Sequence, residues 1–327
     1  MKSLFLVGLT FIILSGLQAQ KKQLCFNADG KFKIVQITDT HYNHENPKCD
    51  LAIQMIEQVL DVEKPDLVVF TGDIAMSSDM SLAWEKVTAP VVRHQIPWTF
   101  VLGNHDAERW ATKEKIFDII DEIPYCIAER GKEKVSGMGN YVLPVWNKNN
   151  SKVAALIYCL DSQEYAQKKG VGKYGWFAFD QIRWYQKMSD KWIKSNDDVP
   201  LPALAYLHIP LPEYKAAWEN ETIKPVGVRD EKICSPELNT GMYAAMLLQG
   251  DVMGVFAGHD HVNDFVGDYN GIALGYGRFS GGTNTYGNHT NGVRVVVLKQ
   301  NQRKFDTWIR EKDGVVKYKT CCPLSKL

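Results

Sequence analysis

Five short polar groups contain most of the histidines in this sequence. The 327 residues include eight histidines, and five of the eight belong to these groups. In chain order the groups are Asp39-Thr40-His41, Gly72-Asp73, Gly103-Asn104-His105-Asp106, His208, and Gly258-His259-Asp260-His261. Imidazole, carboxylate and amide oxygen are ligands that borderline and hard metal ions accept without thiolate. The groups therefore indicate a metal site.

The number of candidate ligands points to two metal ions. Seven side chains are too many for one tetrahedral site and are about right for two ions that share a carboxylate. In Asp39-Thr40-His41 the two ligating residues are two positions apart, which directs both side chains to one face at a strand end. The seven candidates are Asp39, His41, Asp73, Asn104, His208, His259 and His261.

Each polar group follows an apolar run that predicts a strand. These strands are expected at 33–38, 66–71, 98–102, 203–207 and 253–257, with others at 153–159, 272–276 and 293–298. Helices are expected at 51–60, 81–93 (kinked by Pro90), 179–196 and 243–248. Strands alternating with helices indicate an α/β fold with a largely parallel sheet. The candidate ligands would then converge at the carboxyl edge of that sheet.

The composition restricts the classes of partner. Hydrophobic residues make up 45% of the chain, enough for a sizeable core, and no linker or repeat divides it. We therefore expect a single domain at 20–327. Lys plus Arg and Asp plus Glu number 38 each, so the formal net charge is zero. No broad basic surface for nucleic acid or anionic membrane is expected, and the oligomeric state is left open.

The first residues have the pattern of a secretory signal peptide. A basic start precedes an apolar run at 4–17 and a polar stretch from Gln18. The run is shorter than the ~20 residues that a membrane-spanning helix needs. The pattern predicts a signal peptide at 1–19, cleavage after Ala19, and a periplasmic or secreted protein without stable membrane insertion. An uncleaved anchor helix is the alternative.

Seven cysteines follow the predicted signal peptide, and an exported protein permits disulfides. Cys25 could pair with Cys321 or Cys322 and join the two ends of the chain. Several buried free thiols are the equally supported alternative.

The order and spacing of the five groups resemble the calcineurin-like metallophosphoesterases. That family has D-x-H, G-D, G-N-H-D, a lone His and G-H-x-H in the same order, and the similarity extends from Asp39 to His261. The resemblance implies a layered β-sandwich flanked by helices, with ligands at the C-terminal ends of strands. It also implies two divalent or trivalent ions of the Fe, Mn or Zn class and a small phosphate ester as substrate.

The resemblance assigns a position to each ligand. One ion would be bound by Asp39, His41 and His261. The other would be bound by Asn104, His208 and His259. Asp73 would bridge the two ions.

The resemblance also implies a reaction. A hydroxide shared by the ions would attack a phosphomonoester, His105 would act as the acid on the leaving oxygen, and Asp106 would orient the ring of His105. A phosphodiesterase acting on a small or cyclic diester is the alternative enzyme. A non-catalytic metal-binding protein on the same fold is the alternative of another class.

A narrower resemblance is to the purple-acid-phosphatase-like branch of plants and fungi, in the stretches 179–186, 208–213 and 258–264. True purple acid phosphatases carry a tyrosine three residues after the bridging Asp to bind ferric iron. Met76 occupies that position here, so neither the purple colour nor an obligate ferric ion is expected.

The stretch near 213–240 lies between two ligand groups and has little periodicity, which predicts a cap-like insertion that selects substrate. Arg229 and Arg278 are candidates for binding a phosphate oxygen. For each arginine a structural salt bridge is the simpler interpretation.

Overall fold

Two six-stranded sheets form the centre of the structure, a computed structural model that describes residues 23–131, 134–282 and 286–324. The predicted signal peptide lies outside these residues. In chain order the strands are β1 (Lys31–Ile37), β2 (Leu67–Thr71), β3 (Trp98–Val101), β4 (Tyr141–Trp146), β5 (Val153–Cys159), β6 (Ala203–Tyr206), β7 (Val252–Ala257), β8 (Val266–Tyr269), β9 (Ile272–Tyr276), β10 (Gly292–Lys299), β11 (Phe305–Glu311) and β12 (Val316–Cys322).

Both sheets are mixed, so the expectation of one largely parallel sheet is wrong. The first has the order β12-β11-β10-β1-β2-β3, in which β1 to β3 are parallel and β10 to β12 are antiparallel. The second has the order β4-β5-β6-β7-β9-β8, in which β5, β6, β7 and β9 are parallel and the edge strands β4 and β8 are antiparallel. Short connections produce the antiparallel pairs of consecutive strands, because only a longer crossover permits parallel pairing. Strands β1 and β10, which are far apart in the chain, are antiparallel as well.

Helices cover the outer face of each sheet. They are α1 (Asp50–Glu63), α2 (Met80–Arg93), α3 (Lys113–Asp121), α4 (Phe179–Lys194), α5 (Tyr214–Trp218) and α6 (Met242–Gln249). Apolar residues of α1 to α3 share one buried cluster with the first sheet and the inner face of the second. Residues of α4 to α6 share another cluster with the outer face of the second sheet. The four layers confirm the β-sandwich flanked by helices.

Helix α1 shows how the sequence pattern produces this packing. Its buried apolar residues recur three and four positions apart, which places them on one side of the helix. They are Ala52, Met55, Ile56, Val59 and Leu60. Helix α2 begins where the Asp79 side chain accepts a hydrogen bond from the backbone N–H of Leu82 at 2.9 Å, and it continues through Pro90 to Arg93.

None of the helices in the described ranges combines the length and the apolar content that crossing a membrane requires. All seven cysteines lie within those ranges, and each is a free thiol. The structure therefore contains none of the disulfides considered between Cys25 and the C-terminal pair.

Glu63, the last residue of α1, joins this helix to the first sheet. Its carboxylate accepts hydrogen bonds from Trp308 Nε1 at 3.0 Å and Arg310 Nε at 2.7 Å, and lies 3.1 Å from Lys33 Nζ. Burial alone would raise the pKa of Glu63, but the hydrogen bonds from Trp308, Arg310 and Lys33 lower it below its ordinary value. The ionised carboxylate therefore stabilises the folded state.

Glu63→Gln is expected to lower the free energy of unfolding by about 1.5–3 kcal/mol near neutral pH, because hydrogen bonds to charged groups contribute about that much. A carboxylate with a lowered folded-state pKa stabilises the fold above its ordinary pKa, and the stabilisation is lost as pH falls through the folded-state value. Urea unfolding at neutral pH and near pH ~3 should show the difference from wild type shrinking in acid. Glu57→Gln, which removes a partly exposed partner of Arg93 and His94, is the control and should cost less than ~1 kcal/mol. A difference that does not depend on pH would contradict this account of Glu63.

Candidate metal centre

The five polar groups meet at one edge of the two sheets. They follow the ends of β1, β2 and β3 in the first sheet and of β6 and β7 in the second. Two hydrogen bonds join the sheets there: His208 Nδ1 donates to the backbone oxygen of Thr71 at 2.8 Å, and the backbone N–H of His259 donates to Asp39 Oδ2 at 3.0 Å. Residues more than 200 positions apart in sequence are thus brought into contact.

Asp39, His41 and His261 form the first ligand group, and their ligand atoms all lie within 4.8 Å of one another. The Nε2 atoms of His41 and His261 are 3.1 Å apart. Asp39 Oδ1 lies 3.4 Å from His261 Nε2 and 3.9 Å from His41 Nε2. Two imidazoles and a carboxylate therefore converge, which is a donor set suited to Fe, Mn or Zn.

Asp73, His208 and His259 form the second ligand group, which satisfies the same 4.8 Å criterion. His208 Nε2 lies 3.2 Å from Asp73 Oδ2 and 3.2 Å from His259 Nδ1. Asn104 is next to this group, because the following backbone N–H, that of His105, donates to Asp73 Oδ1 at 2.7 Å. The structure thus brings together all seven residues that the sequence indicated as ligands.

The backbone at these strand ends turns sharply. Asp39, His41, Asp73 and His259 have φ angles of 54°, 43°, 53° and 74°, a left-handed conformation that non-glycine residues rarely adopt. Such conformations persist where the surrounding structure enforces them, and they are concentrated at functional sites. Gly103 permits the close approach of two turns, since a Cβ atom there would lie 2.5 Å from the backbone nitrogen of Asp73.

The two carboxylates among the seven candidate ligands have lowered pKa values. Burial alone would raise the pKa of Asp39, but the adjacent ring of His261 and the charge of His208 lower it to about 2. Burial also opposes ionisation of Asp73, yet the charge and hydrogen bond of His208 hold its pKa far below the ordinary range. Each carboxylate therefore interacts with histidines of both ligand groups.

The histidines of the site differ in protonation. Burial lowers the pKa of His41 to about 4 and that of His259 to about 3, so both rings are neutral and offer a lone pair at neutral pH. Burial would lower the pKa of His208 too, but the charge and hydrogen bond of Asp73 raise it to about 10. A metal ion would replace the proton on His208 Nε2, because Nδ1 already donates to a backbone carbonyl.

Three buried atoms of the site have no hydrogen-bond partner among the residues that the structure describes. They are Asp39 Oδ1, Asn104 Oδ1 and His259 Nε2. An unpaired buried polar atom costs about 1–3 kcal/mol, and three within one cluster are explained by cations that these atoms would bind. The unpaired atoms come from both ligand groups, so the residues present fit two metal ions.

His105 lies at the more accessible side of the site, with 33% of its side chain exposed. Its ring centre is 5.7 Å from that of His41, and its Nδ1 lies 2.6 Å from Glu108 Oε2. Glu108 was not among the residues selected from the sequence, because a carboxylate in a loop carries no periodic signal. The one indication that Glu108 could contact the His105 ring was its position three residues later on the same turn.

The predicted contact of Asp106 with the His105 ring is not what the structure shows. The Asp106 carboxylate is buried and accepts hydrogen bonds of 2.7–3.2 Å from backbone N–H groups after β2 and β3. The donors are Asp73, Ile74, Ala75 and Gly103. The Asp106 carboxylate lies close to the backbone N–H groups of a tight turn, whereas the His105 ring faces solvent. The carboxylate therefore bonds to the backbone and not to the ring. Asp106 therefore holds the turn that carries Asp73, and Glu108 is the partner of His105.

Aromatic side chains that the sequence analysis did not select contact the ligand rings. Phe279 lies 4.8 Å from His261 between ring centres, and Tyr286 stacks on His261 at 5.1 Å with an interplanar angle of 18°. Tyr174 meets His259 edge-on at 4.5 Å. These contacts come from loops distant in sequence and restrict the orientation of the imidazoles.

The stretch near 213–240 begins with α5 and continues without regular structure beside the last ligand loop. Within it, Glu231 accepts a hydrogen bond from the hydroxyl of Tyr286, and the backbone N–H of Cys234 donates to Asp260. Its selection of substrate stays a prediction. Arg278 is only 2% exposed and donates to Asp264 and Glu311, each at 2.5 Å, so it is a structural residue and is not available to phosphate.

Comparison with known proteins supports a common family. The sequence profile of the calcineurin-like phosphoesterases matches residues 32–263, a range that contains all five polar groups. The chain is 34% identical over 345 residues to "probable inactive purple acid phosphatase 14" of Arabidopsis thaliana, covering 94% of this chain and 84% of that protein. It is 32% identical over 322 residues to phosphatase DCR2 of Saccharomyces cerevisiae, covering 86% of this chain and 54% of that protein.

Two solved structures share the fold. A dimetal phosphatase from Danio rerio superposes with a TM-score of 0.61 at 14% identity, covering 90% of this chain and 99% of that chain. A purple acid phosphatase from yellow lupin seeds superposes with a TM-score of 0.53 at 14% identity, covering 89% of this chain and 53% of that chain. From the sequence profile and the relatives, the chain belongs to the calcineurin-like phosphoesterase family.

Proposed function

We propose that this chain is a metal-dependent phosphoesterase that hydrolyses a small phosphomonoester outside the cytoplasm. The observation that carries the proposal is the set of unpaired buried atoms on both ligand groups, since side chains held in this way are prepared for two cations. The N-terminal sequence pattern supports the extracytoplasmic location.

Two bound cations would lower the pKa of a shared water and neutralise charge on the phosphate. We assign Asp39, His41 and His261 to one ion. We assign Asn104, His208 and His259 to the other. Asp73 is the shared ligand in this proposal, because its carboxylate interacts with His41 as well as His208. Two cations arranged in this way would hold the phosphate, and a side chain of the protein would supply the proton for the leaving oxygen.

The proton for the leaving oxygen comes from His105 in this proposal. Glu108 accepts the Nδ1–H, which orients the ring so that the proton on Nε2 is the one transferred. The backbone N–H of His105 donates to Asp73, so the acid is attached directly to the turn that carries the proposed bridging ligand. The backbone of the proposed acid is thereby held next to the proposed bridging ligand.

The metals are proposed to be divalent ions of the Fe, Mn or Zn class. Met76 lies 2.7 Å from His41 Nδ1, at the position where purple acid phosphatases carry a tyrosine. A neutral thioether does not provide the phenolate that stabilises a ferric ion. We therefore expect a colourless protein that works with Mn(II) or Zn(II).

A non-catalytic metal-binding protein is the principal alternative, since three relatives bear the words "probable inactive" in their names. The pairing of His105 with Glu108 favours an enzyme, because a protein that only binds metal has no chemical need for an oriented acid beside the ligands. A phosphodiesterase is the alternative within enzymes, because the same metal pair serves both esters.

The proposal is tested by metal analysis and a matched pair of substrates. Protein purified without chelator should contain about two metal ions per chain. It should hydrolyse p-nitrophenyl phosphate faster than bis(p-nitrophenyl) phosphate, lose activity on chelation and regain it with Mn(II). Faster hydrolysis of the diester would show that the protein is a phosphodiesterase and not a phosphomonoesterase. Two bound metals with no hydrolysis of either ester would favour the non-catalytic alternative.

A further inference from the structure

A loop at one side of the site folds back on itself as a short hairpin, which we name the hairpin loop (residues 163–175). Tyr165 and Tyr174 pair across it in antiparallel register. The backbone N–H of Ala166 donates to the oxygen of Lys173 at 2.9 Å, which closes the turn. The two tyrosines thus come side by side at the base of the hairpin loop, with their rings 6.2 Å apart and inclined by only 22°.

The base of the hairpin loop is anchored by a largely buried lysine. Lys113 Nζ on α3 lies 2.7 Å from Asp161 Oδ2 and 3.0 Å from Glu164 Oε1, and 14% of its side chain is exposed. Asp161 also accepts hydrogen bonds from the backbone N–H groups of Met138 and Gln163. These contacts fix the position from which the tyrosines extend, so the aromatic surface is preformed.

Both tyrosines of the hairpin loop contact the metal centre. Tyr174 meets the ring of His259 edge-on at 4.5 Å. The Tyr165 hydroxyl accepts a hydrogen bond from Asn104 Nδ2 at 3.1 Å, and its ring centre is 6.5 Å from that of His105. Tyr165 is therefore an aromatic side chain from a separate element that lies beside the proposed acid, where the leaving group of a substrate would be.

We propose that the hairpin loop binds the leaving group and that the substrate is an aryl phosphate, a monoester whose phenolic ring packs against Tyr165. This inference rests on the proposed function, because it places the leaving group next to His105. Aromatic rings prefer offset or edge-to-face contact with one another, and Tyr165 offers such a surface. The inference adds a class of substrate to the reaction.

A cavity next to Tyr165 has room for such a ring. Its volume is about 200 Å³, and its lining includes Tyr165, Trp176, Gln163 and Gln167. A cavity of roughly 150 Å³ is enough to hold benzene. Neither His105 nor any of the seven ligands lines this cavity, so it would hold the part of a leaving group that extends past Tyr165.

The test compares two variants that differ only in the ring at position 165. Tyr165→Phe and Tyr165→Leu both lose the hydroxyl that binds Asn104, but only the first keeps an aromatic face. Release of inorganic phosphate from phenyl phosphate and from ethyl phosphate gives a ratio of kcat/KM for each protein. The ratio in Tyr165→Phe should remain near that of wild type, and in Tyr165→Leu it should fall about 2- to 12-fold.

Equal ratios in the two variants would overturn the aryl assignment, whereas wild type inactive on both esters would instead refute the proposed function. If Tyr165→Leu does not fold or does not retain its metals, wild type still decides the question. Phenylphosphonate and ethylphosphonate cannot be hydrolysed at the P–C bond and serve as competitive inhibitors of p-nitrophenyl phosphate hydrolysis. Phenylphosphonate should inhibit several-fold more strongly, and equal inhibition constants would reject the inference.

Discussion

Asp73→Asn is expected to remove most of the bound metal and to lower kcat/KM by about 10³-fold or more. An asparagine has nearly the same shape, and its oxygen still accepts the backbone N–H of His105, so the turn should remain folded. What is lost is the negative charge that holds His208 and that two cations would share. Metal ions contribute several kcal/mol of charge stabilisation in phosphoryl transfer, and each 1.36 kcal/mol is a factor of ten in rate.

Metal analysis of the purified variant is the direct measurement, with thermal unfolding to verify the fold. Asp251→Asn is the matched control, because Asp251 is also a buried carboxylate, bonded to the hydroxyls of Tyr158 and Tyr185 at the opposite end of β7. This control should lose stability and keep its metals. An Asp73→Asn protein with full metal content would show that Asp73 is not the shared ligand.

The ligand groups could be predicted from the sequence because their positions follow from strand geometry. Asp39 and Asp73 follow segments rich in Ile, Val and Phe, which predict strands, and parallel strands end at the same edge of a sheet. The identity of the ligand atoms then follows from residue type. His208 was found by the same reasoning, although it has no neighbouring motif of its own.

The pairing of strands at the sheet edges could not be predicted in the same way. Strand β4 alternates between buried and half-buried residues, and much of β12 is exposed, so neither has the continuous apolar run of a central strand. Division into two sheets depends on contacts between residues far apart in the chain, such as the pairing of β1 with β10. A sequence pattern indicates which face of a strand each side chain occupies. It does not indicate which strand pairs with which.

The residues around the ligands were harder to predict than the ligands. Asp106 was assigned to the ring of His105 by resemblance, whereas the fold places it under backbone N–H groups and gives Glu108 to the ring. Tyr165 and Tyr174 lie in a loop without periodicity, and their proximity to the metal centre depends on the hairpin turn. Loop conformation decides such contacts, and single-residue patterns do not encode it.

His105→Ala is expected to keep both metals and to lower turnover of an alkyl phosphomonoester by about 10²–10⁴-fold, the range for loss of a general acid. The backbone N–H that bonds to Asp73 remains in the variant, so the turn carrying the proposed bridging ligand is preserved. The ring is one-third exposed, so its removal leaves little cavity and should scarcely change stability. Steady-state kinetics with metal analysis on the same samples measures both expectations.

Two comparisons distinguish a proton donor from a residue that only shapes the site. His44→Ala removes another partly buried histidine near the first ligand group, bonded to Ser77, and should leave turnover near wild type. Glu108→Gln should give a loss between those of the two histidine variants, because the ring remains but the hydrogen bond that orients it is weaker.

The dependence on leaving group is the decisive readout for His105. A leaving oxygen of low pKa departs without a proton, so His105→Ala should slow p-nitrophenyl phosphate much less than ethyl phosphate. A purely structural role would slow both esters by the same factor, since misplacement of the phosphate affects every substrate alike. An equal loss with both esters would therefore exclude His105 as the acid, even if the metals and the fold are intact.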